Sequence, residues 1–242
     1  MYKVKTQITR RTIIFVLIAL VFVSCVSENE QSGLDKITTH YGAKVSYTKG
    51  VSKNIDAKAK SVFNIIVEKS SMLDTLNVGV STTNIATLFY GSLTPEEQKD
   101  CDEITVELIN SVTKESSKYI FDGHIANACW DQSQIYHSFS QALLTKDYND
   151  IANAMLKKYY KPTMADDLSS YMKSLTEVHG ELVDYKGTGI GIIKSEENTR
   201  HYQYSGFLTF RDGYKWPYII NTSIKKDNDE ITGFNLQKGI KL

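Results

Sequence analysis

Apolar and polar positions divide this chain into three regimes. Residues 12–23 (TIIFVLIALVFV) are apolar at eleven of twelve positions. As a helix this run would span about 18 Å, short of the roughly 30 Å hydrocarbon core of a bilayer. From Gly33 to about Gly123 short alternating stretches dominate. Residues 43–47 alternate and TKG (48–50) reads as a turn. Residues 61–68 place Phe63, Ile65 and Val67 on one side of a strand. STTNIATLFYG predicts a short helix capped by Ser or Thr and closed by Gly91, with Ile85, Leu88 and Phe89 on one face. Thr94-Pro95-Glu96-Glu97 is a capping box with proline at the first helical position. Ile104, Val106 and Leu108 then alternate with Thr105 and Glu107, a strand with one wet face, and residues 119–121 offer it a partner.

Near Cys129 the period changes to that of helices. Residues 132–144 place Ile135, Phe139 and Leu143 four apart. Residues 147–158 group Ile151, Ala154 and Met155, and residues 166–175 carry Leu168, Tyr171, Met172 and Leu175 on one stripe. After Gly180 only strands and turns follow: 181–186, 188–194, 202–210, 218–225 and 230–236. The expected fold class is therefore α+β, a small N-terminal α+β domain (33–128) followed by a domain of helices and then antiparallel sheet (129–242).

The amino terminus adds Lys3, Lys5, Arg10 and Arg11, with no acid before Glu28. A basic start followed by a short apolar run is the pattern of an export signal. FVSC (22–25) resembles the lipobox of bacterial lipoproteins, departing from it at Phe22, where leucine is usual. The resemblance implies a signal peptide at 1–24 and lipidation of Cys25, which would tie the chain to the membrane. The alternatives are a signal cut elsewhere and a short uncleaved anchor. Residues 25–32 read as a flexible tether. Ser27-Glu28-Asn29-Glu30 looks like the acidic tag that sends some lipoproteins to the outer face of the outer membrane, so the expected location is exported, outer-membrane anchored and surface-displayed.

Without the leader the chain carries a net charge of about −4. That balance, with no basic stripe, points away from nucleic acid. Fifteen tyrosines against nine phenylalanines suit half-wet sheets and binding surfaces. Cys101 and Cys129 could pair in an oxidising compartment, but spacing alone does not decide it.

Residues 132–238 resemble the nuclear-transport-factor-2-like (cystatin-like) superfamily through ALLTKDYNDIANAML, HGELVDYKGTG and IKKDNDEITGFNLQ. That resemblance implies a cone between helices and sheet, and carries no functional residue across. Tyr159, Tyr160, Asp184, Tyr204 and Trp216 are candidates to line such a cone, with Tyr218 as a further pocket or surface ring. Each has a plainer reading: Tyr159-Tyr160 as helix-end packing, Trp216-Pro217 as the start of an edge strand, and Asp184 as solvated. Rings recurring at Tyr202, Tyr204, Phe207, Phe210, Tyr214 and Tyr218 should fill the cone from inside and leave a sticky outer face.

Other chemistry finds little support. Gly187-Thr188-Gly189-Ile190-Gly191 lacks the spacing and helix of a phosphate loop, and suits a curved strand. His40, His124, His137, His179 and His201 show no ligand spacing, so neither a metal nor another cofactor is expected. Asp227-Asn228-Asp229-Glu230 suits a hairpin turn better than a calcium loop. The expectation is a non-enzymatic binding or accessory module whose partner is another envelope protein. The competing expectations are small-molecule binding or isomerase/hydratase-type activity in the cone, and an immunity lipoprotein that neutralises a toxin.

Overall fold

A computed structural model describes residues 26–52, 59–194, 200–224 and 230–236. The leader, Cys25, and the turns expected at 195–198 and 227–230 lie mostly or wholly outside the described residues. Where described, the chain is α+β, with two four-stranded sheets, each covered by helices. Among the described residues, no helix is long and apolar enough to cross a membrane.

The expected tether is instead the start of helix α1 (Glu28–Tyr41). Ser27 and Glu30 close a capping box, and Gly42 ends the helix at φ 57°. Left-handed backbone of this kind favours glycine. Glu30 is only 1% exposed and its carboxylate pairs with Lys49 at 2.7 Å. Ser27 Oγ donates to Glu97 at 2.6 Å. Polar residues that resembled a solvated linker are thus fixed by caps and by an ion pair between the buried Glu30 and the exposed Lys49.

In the first sheet β1 (Lys44–Ser52) pairs antiparallel with β2 (Lys60–Glu68), β2 pairs parallel with β3 (Glu103–Ile109), and β3 pairs antiparallel with β4 (Ser116–Asp122). Residues 48–50 do not turn, because Thr48, Lys49 and Gly50 pair with Asn64, Phe63 and Val62. The parallel pair requires a crossover, supplied by α2 (Val78–Tyr90) and α3 (Pro95–Lys99). Thr94 and Glu97 make the expected capping box, whereas α2 starts earlier than expected and is capped by Asn77, whose Oδ1 accepts from Val80 N at 3.1 Å. Phe63, Ile65 and Val67 lie opposite Ile104, Val106 and Leu108 and form a buried face under α1 and α2. Thr105, expected to be wet, is 4% exposed, since its strand is flanked on both sides.

Helix α4 (Gly123–Thr145) runs through the expected boundary at 128/129 without a break. After α4 come α5 (Tyr148–Asn153) and α6 (Met164–His179), then a meander β5 (Leu182–Lys194), β6 (Arg200–Phe210), β7 (Lys215–Ser223) and β8 (Ile231–Asn235). The helix expected over 147–158 stops at Asn153 because the chain joins the sheet. Met155 bridges Ile231, and Leu156 N donates to Ile231 O at 2.9 Å. β5 is one strand, not two, carrying bulges at Leu182/Asp184 and Gly187/Gly189. Trp216-Pro217 does not start an edge strand, since β7 lies between β6 and β8. β8 pairs only with Ile219 to Thr222, so Pro217 sits where that side of β7 has no partner.

The two bodies are packed together. Asn84 Nδ2 donates to Tyr41 Oη at 2.6 Å, and Tyr41 Oη donates to Thr188 O at 3.2 Å. A side chain at Gly189 would collide with Val80 of α2, and one at Gly91 with the Trp130 ring.

Candidate functional site

The inner face of the second sheet is closed by its own side chains. Tyr204, Trp216 and Tyr218 are buried at 2%, 5% and 1% exposure. Tyr159 is half-buried against the same core, Tyr160 is exposed, and Asp184 is exposed as expected. The ring that completes this packing is Tyr136 of α4. It stacks between Tyr204 (centroids 5.7 Å apart) and Tyr218 (5.6 Å). The Tyr218 hydroxyl donates to that of Tyr136 at 2.6 Å, and Ser140 Oγ lies 2.6 Å from it on its other side. Trp216 Nε1 donates to Leu236 O at 2.6 Å. Gly187 and Gly206 make room for Tyr136, since a Cβ at either would press on its ring or hydroxyl. These two glycines therefore serve ring packing across the core, a reason the sequence pattern did not reveal.

The outer face is not the aromatic surface expected. Tyr202, Tyr204, Phe210 and Tyr218 belong to or pack against the inner core, and Tyr214 stacks on His179 at 4.2 Å beside the β6–β7 turn. Phe207 remains, half-buried beside Leu76 and Val80 in a recess of about 150 Å³.

A larger cleft of about 340 Å³ opens where the two bodies meet. His40 comes to it from the last turn of α1, Leu88 from α2, Trp130, Tyr136 and His137 from α4, and Asp184, Tyr185 and Lys186 from β5. Its position follows from the packing of α2 on β5, which brings residues far apart in sequence onto one rim. His40 Nε2 contacts the Gly187 carbonyl, and since a carbonyl only accepts, that nitrogen carries the hydrogen. Burial pulls His40 down to about 4, Lys186 and His137 pull the same way, and the Gly187 bond opposes them. His137, edge-on to Tyr136 at 5.4 Å and near Tyr185 at 6.1 Å, loses part of its hydration and is lowered too. Lys186 is lowered first by burial and then by Lys215, with Asp184 opposing. The cleft therefore brings together two imidazoles, both pulled toward the neutral form, the Lys186 amine and the Asp184 carboxyl among aromatic walls.

One histidine–carboxylate pair, invisible in the sequence, forms elsewhere. His179 Nδ1 lies 2.9 Å from Asp212 Oδ2. The His179 bond, then the Tyr214 N–H, hold the Asp212 carboxyl below its usual range. Asp212 N also donates to His179 O at 3.2 Å, so the pair braces the end of α6 against the β6–β7 turn. Cys101 and Cys129 are separate, free and buried, which settles the open question of their pairing. Burial pushes their thiols up to about 12 and about 11. Among the described residues, no cluster of three histidine, cysteine or acidic side chains could hold a metal ion.

Set against protein-family models, curated proteins and solved structures, the chain has no match in any of the three comparisons.

Proposed function

We propose that this chain is a lipid-anchored protein of a bacterial envelope that works by binding a partner. The observation that carries the binding half is the Tyr136 ring seated between Tyr204 and Tyr218, which fills the place where a cone enzyme would hold its substrate. Three helices followed by a four-stranded antiparallel meander support reading the second body as a nuclear-transport-factor-2-like (cystatin-like) roll. The basic leader and FVSC support lipidation at Cys25. Outer-membrane location and surface display now lean on Glu28 and Asn29, because Ser27 and Glu30 are engaged in capping and ion pairing.

The test is expression of the full chain in a Gram-negative host, with membrane fractionation and intact-mass measurement. Wild type should sediment with membranes and begin at an acylated Cys25. Cys25→Ser should appear in the soluble fraction or as uncleaved precursor. Wild type carrying an unmodified Cys25 thiol would overturn the anchor. A second reading, recognition of a small molecule, is favoured by the cleft of about 340 Å³, which lies at the junction and is bounded on the cone side by Tyr136 and Tyr204. That volume is at the low end of the roughly 300–1,000 Å³ usual for small-molecule sites.

A further inference from the structure

We propose that the junction cleft binds a small organic anion, an apolar or aromatic body carrying one carboxylate, sulfonate or phosphate, with Lys186 as its counter-charge. This rests on the second reading above and names its ligand class. The first support is shape, a cleft of about 340 Å³ that is partly enclosed by both bodies. The second is lining chemistry: Trp130, Tyr185 and Leu88 offer apolar and ring surface to a flat ligand.

The third is charge. Among the described residues Lys186 has no carboxylate within ion-pairing distance. A half-buried ammonium is costly to leave without a partner. Its surroundings work against its own charge, since Lys215 of β7 acts on it more strongly than Asp184. Asp184 is the acid that lines the cleft, and it is exposed. An anion seated against Lys186 would relieve this repulsion. His40 adds a second contact: its Nε2 is committed to Gly187, which leaves Nδ1 to take up a proton when an anion binds. The other titratable groups facing the cleft are His137 and Tyr136 on α4, Tyr185 on β5 and Tyr204 on β6, while α2 contributes Asn84, Thr87 and Leu88, none of which titrates.

The experiment uses the chain without its leader and a matched pair of fluorescent probes. One is 1-anilinonaphthalene-8-sulfonate, an aromatic anion, and the other is N-phenyl-1-naphthylamine, the same body without the sulfonate. The anion should bind saturably at one site, quench Trp130 by energy transfer, and weaken as salt is raised. The uncharged probe should bind more weakly and ignore salt. Lys186→Gln should weaken the anion about ten- to a hundredfold, the range expected for losing a charged hydrogen bond, and leave the uncharged probe unchanged. Lys186→Arg should retain most of the affinity, and the exposed Lys194→Gln all of it. Equal binding of both probes, or anion affinity indifferent to both salt and Lys186→Gln, would overturn the proposal. So would the absence of saturable binding. Should Lys186→Gln fail to fold, the salt dependence on wild type decides alone. A negative result leaves the Cys25 anchor untouched, because fractionation and mass decide that separately.

Discussion

Gly189→Ala is a one-methyl test of whether the two bodies are a single structure. Gly189 is buried in β5, and its φ lies outside the left-handed region, so alanine brings no backbone penalty of its own. The added Cβ would overlap Val80 Cγ1 and lie 3.1 Å from Val80 Cβ and 3.2 Å from its carbonyl carbon. Rotating the valine clears only the first of these, so α2 and β5 must separate slightly. Overpacking of this kind costs about 1–3 kcal/mol. For a protein of this size that is a fall in Tm of about 2–12 °C. Val80→Ala alone removes two methylene equivalents at a half-buried position and should cost about 1 kcal/mol, below the roughly 1.6 kcal/mol of full burial. In the double variant the worst overlap is gone, so the two costs should not add, and a coupling of about 1 kcal/mol or more should remain. Guanidinium unfolding followed by the fluorescence of Trp130, at the junction, and Trp216, in the second core, measures all four corners of the cycle. Additive costs within about 0.5 kcal/mol, or a neutral Gly189→Ala, would show that α2 does not rest on β5 in solution. The cleft would then have no fixed shape.

Other outcomes follow from the same contacts. A fragment 131–242 should show no cooperative melt by circular dichroism, because it cuts α4 and removes the α2 surface that covers β5. Tyr218→Phe should lower stability by about 1–3 kcal/mol in urea unfolding, since it strips partners from the buried Tyr136 and Ser140 hydroxyls. Cys101 and Cys129 should resist a thiol reagent at pH 8 until denaturant is added, as burial pushes their values up to about 12 and about 11. His40, lowered to about 4 from 6.5, favours the folded state only when neutral. Its contribution should be complete above pH 6.5 and decline as pH falls toward 4, a slope that His40→Gln should flatten in a pH series of urea midpoints.

What could be read in the sequence and what could not divide along one physical line. Phe63, Ile65 and Val67, and Ile104, Val106 and Leu108, declare their strands because each residue's environment is set two positions away. Thr94 and Glu97 declare a helix start for the same reason, as both partners lie within one turn. Ser27 and Glu30 carry that same capping signal, yet they follow directly on a leader motif, and the polar run ENEQSG reads as linker when Leu34, Ile37 and Tyr41 are not counted as its inward face. The failure there was one of context, and the residues themselves were sufficient. Gly189 and Lys186 are a different case. Gly189 is glycine because of Val80, Gly206 because of Tyr136, and Lys186 meets His40 only after α1 and β5 are brought together. No local period encodes contacts between residues so far apart in the chain. A closely spaced glycine set in a strand, with no turn to explain it, is the trace such contacts leave. Gly187, Gly189 and Gly206 mark where the second sheet accepts a neighbour, and the first two of them line the cleft, so the same close approach of distant elements that requires glycine also sets the position of the cleft.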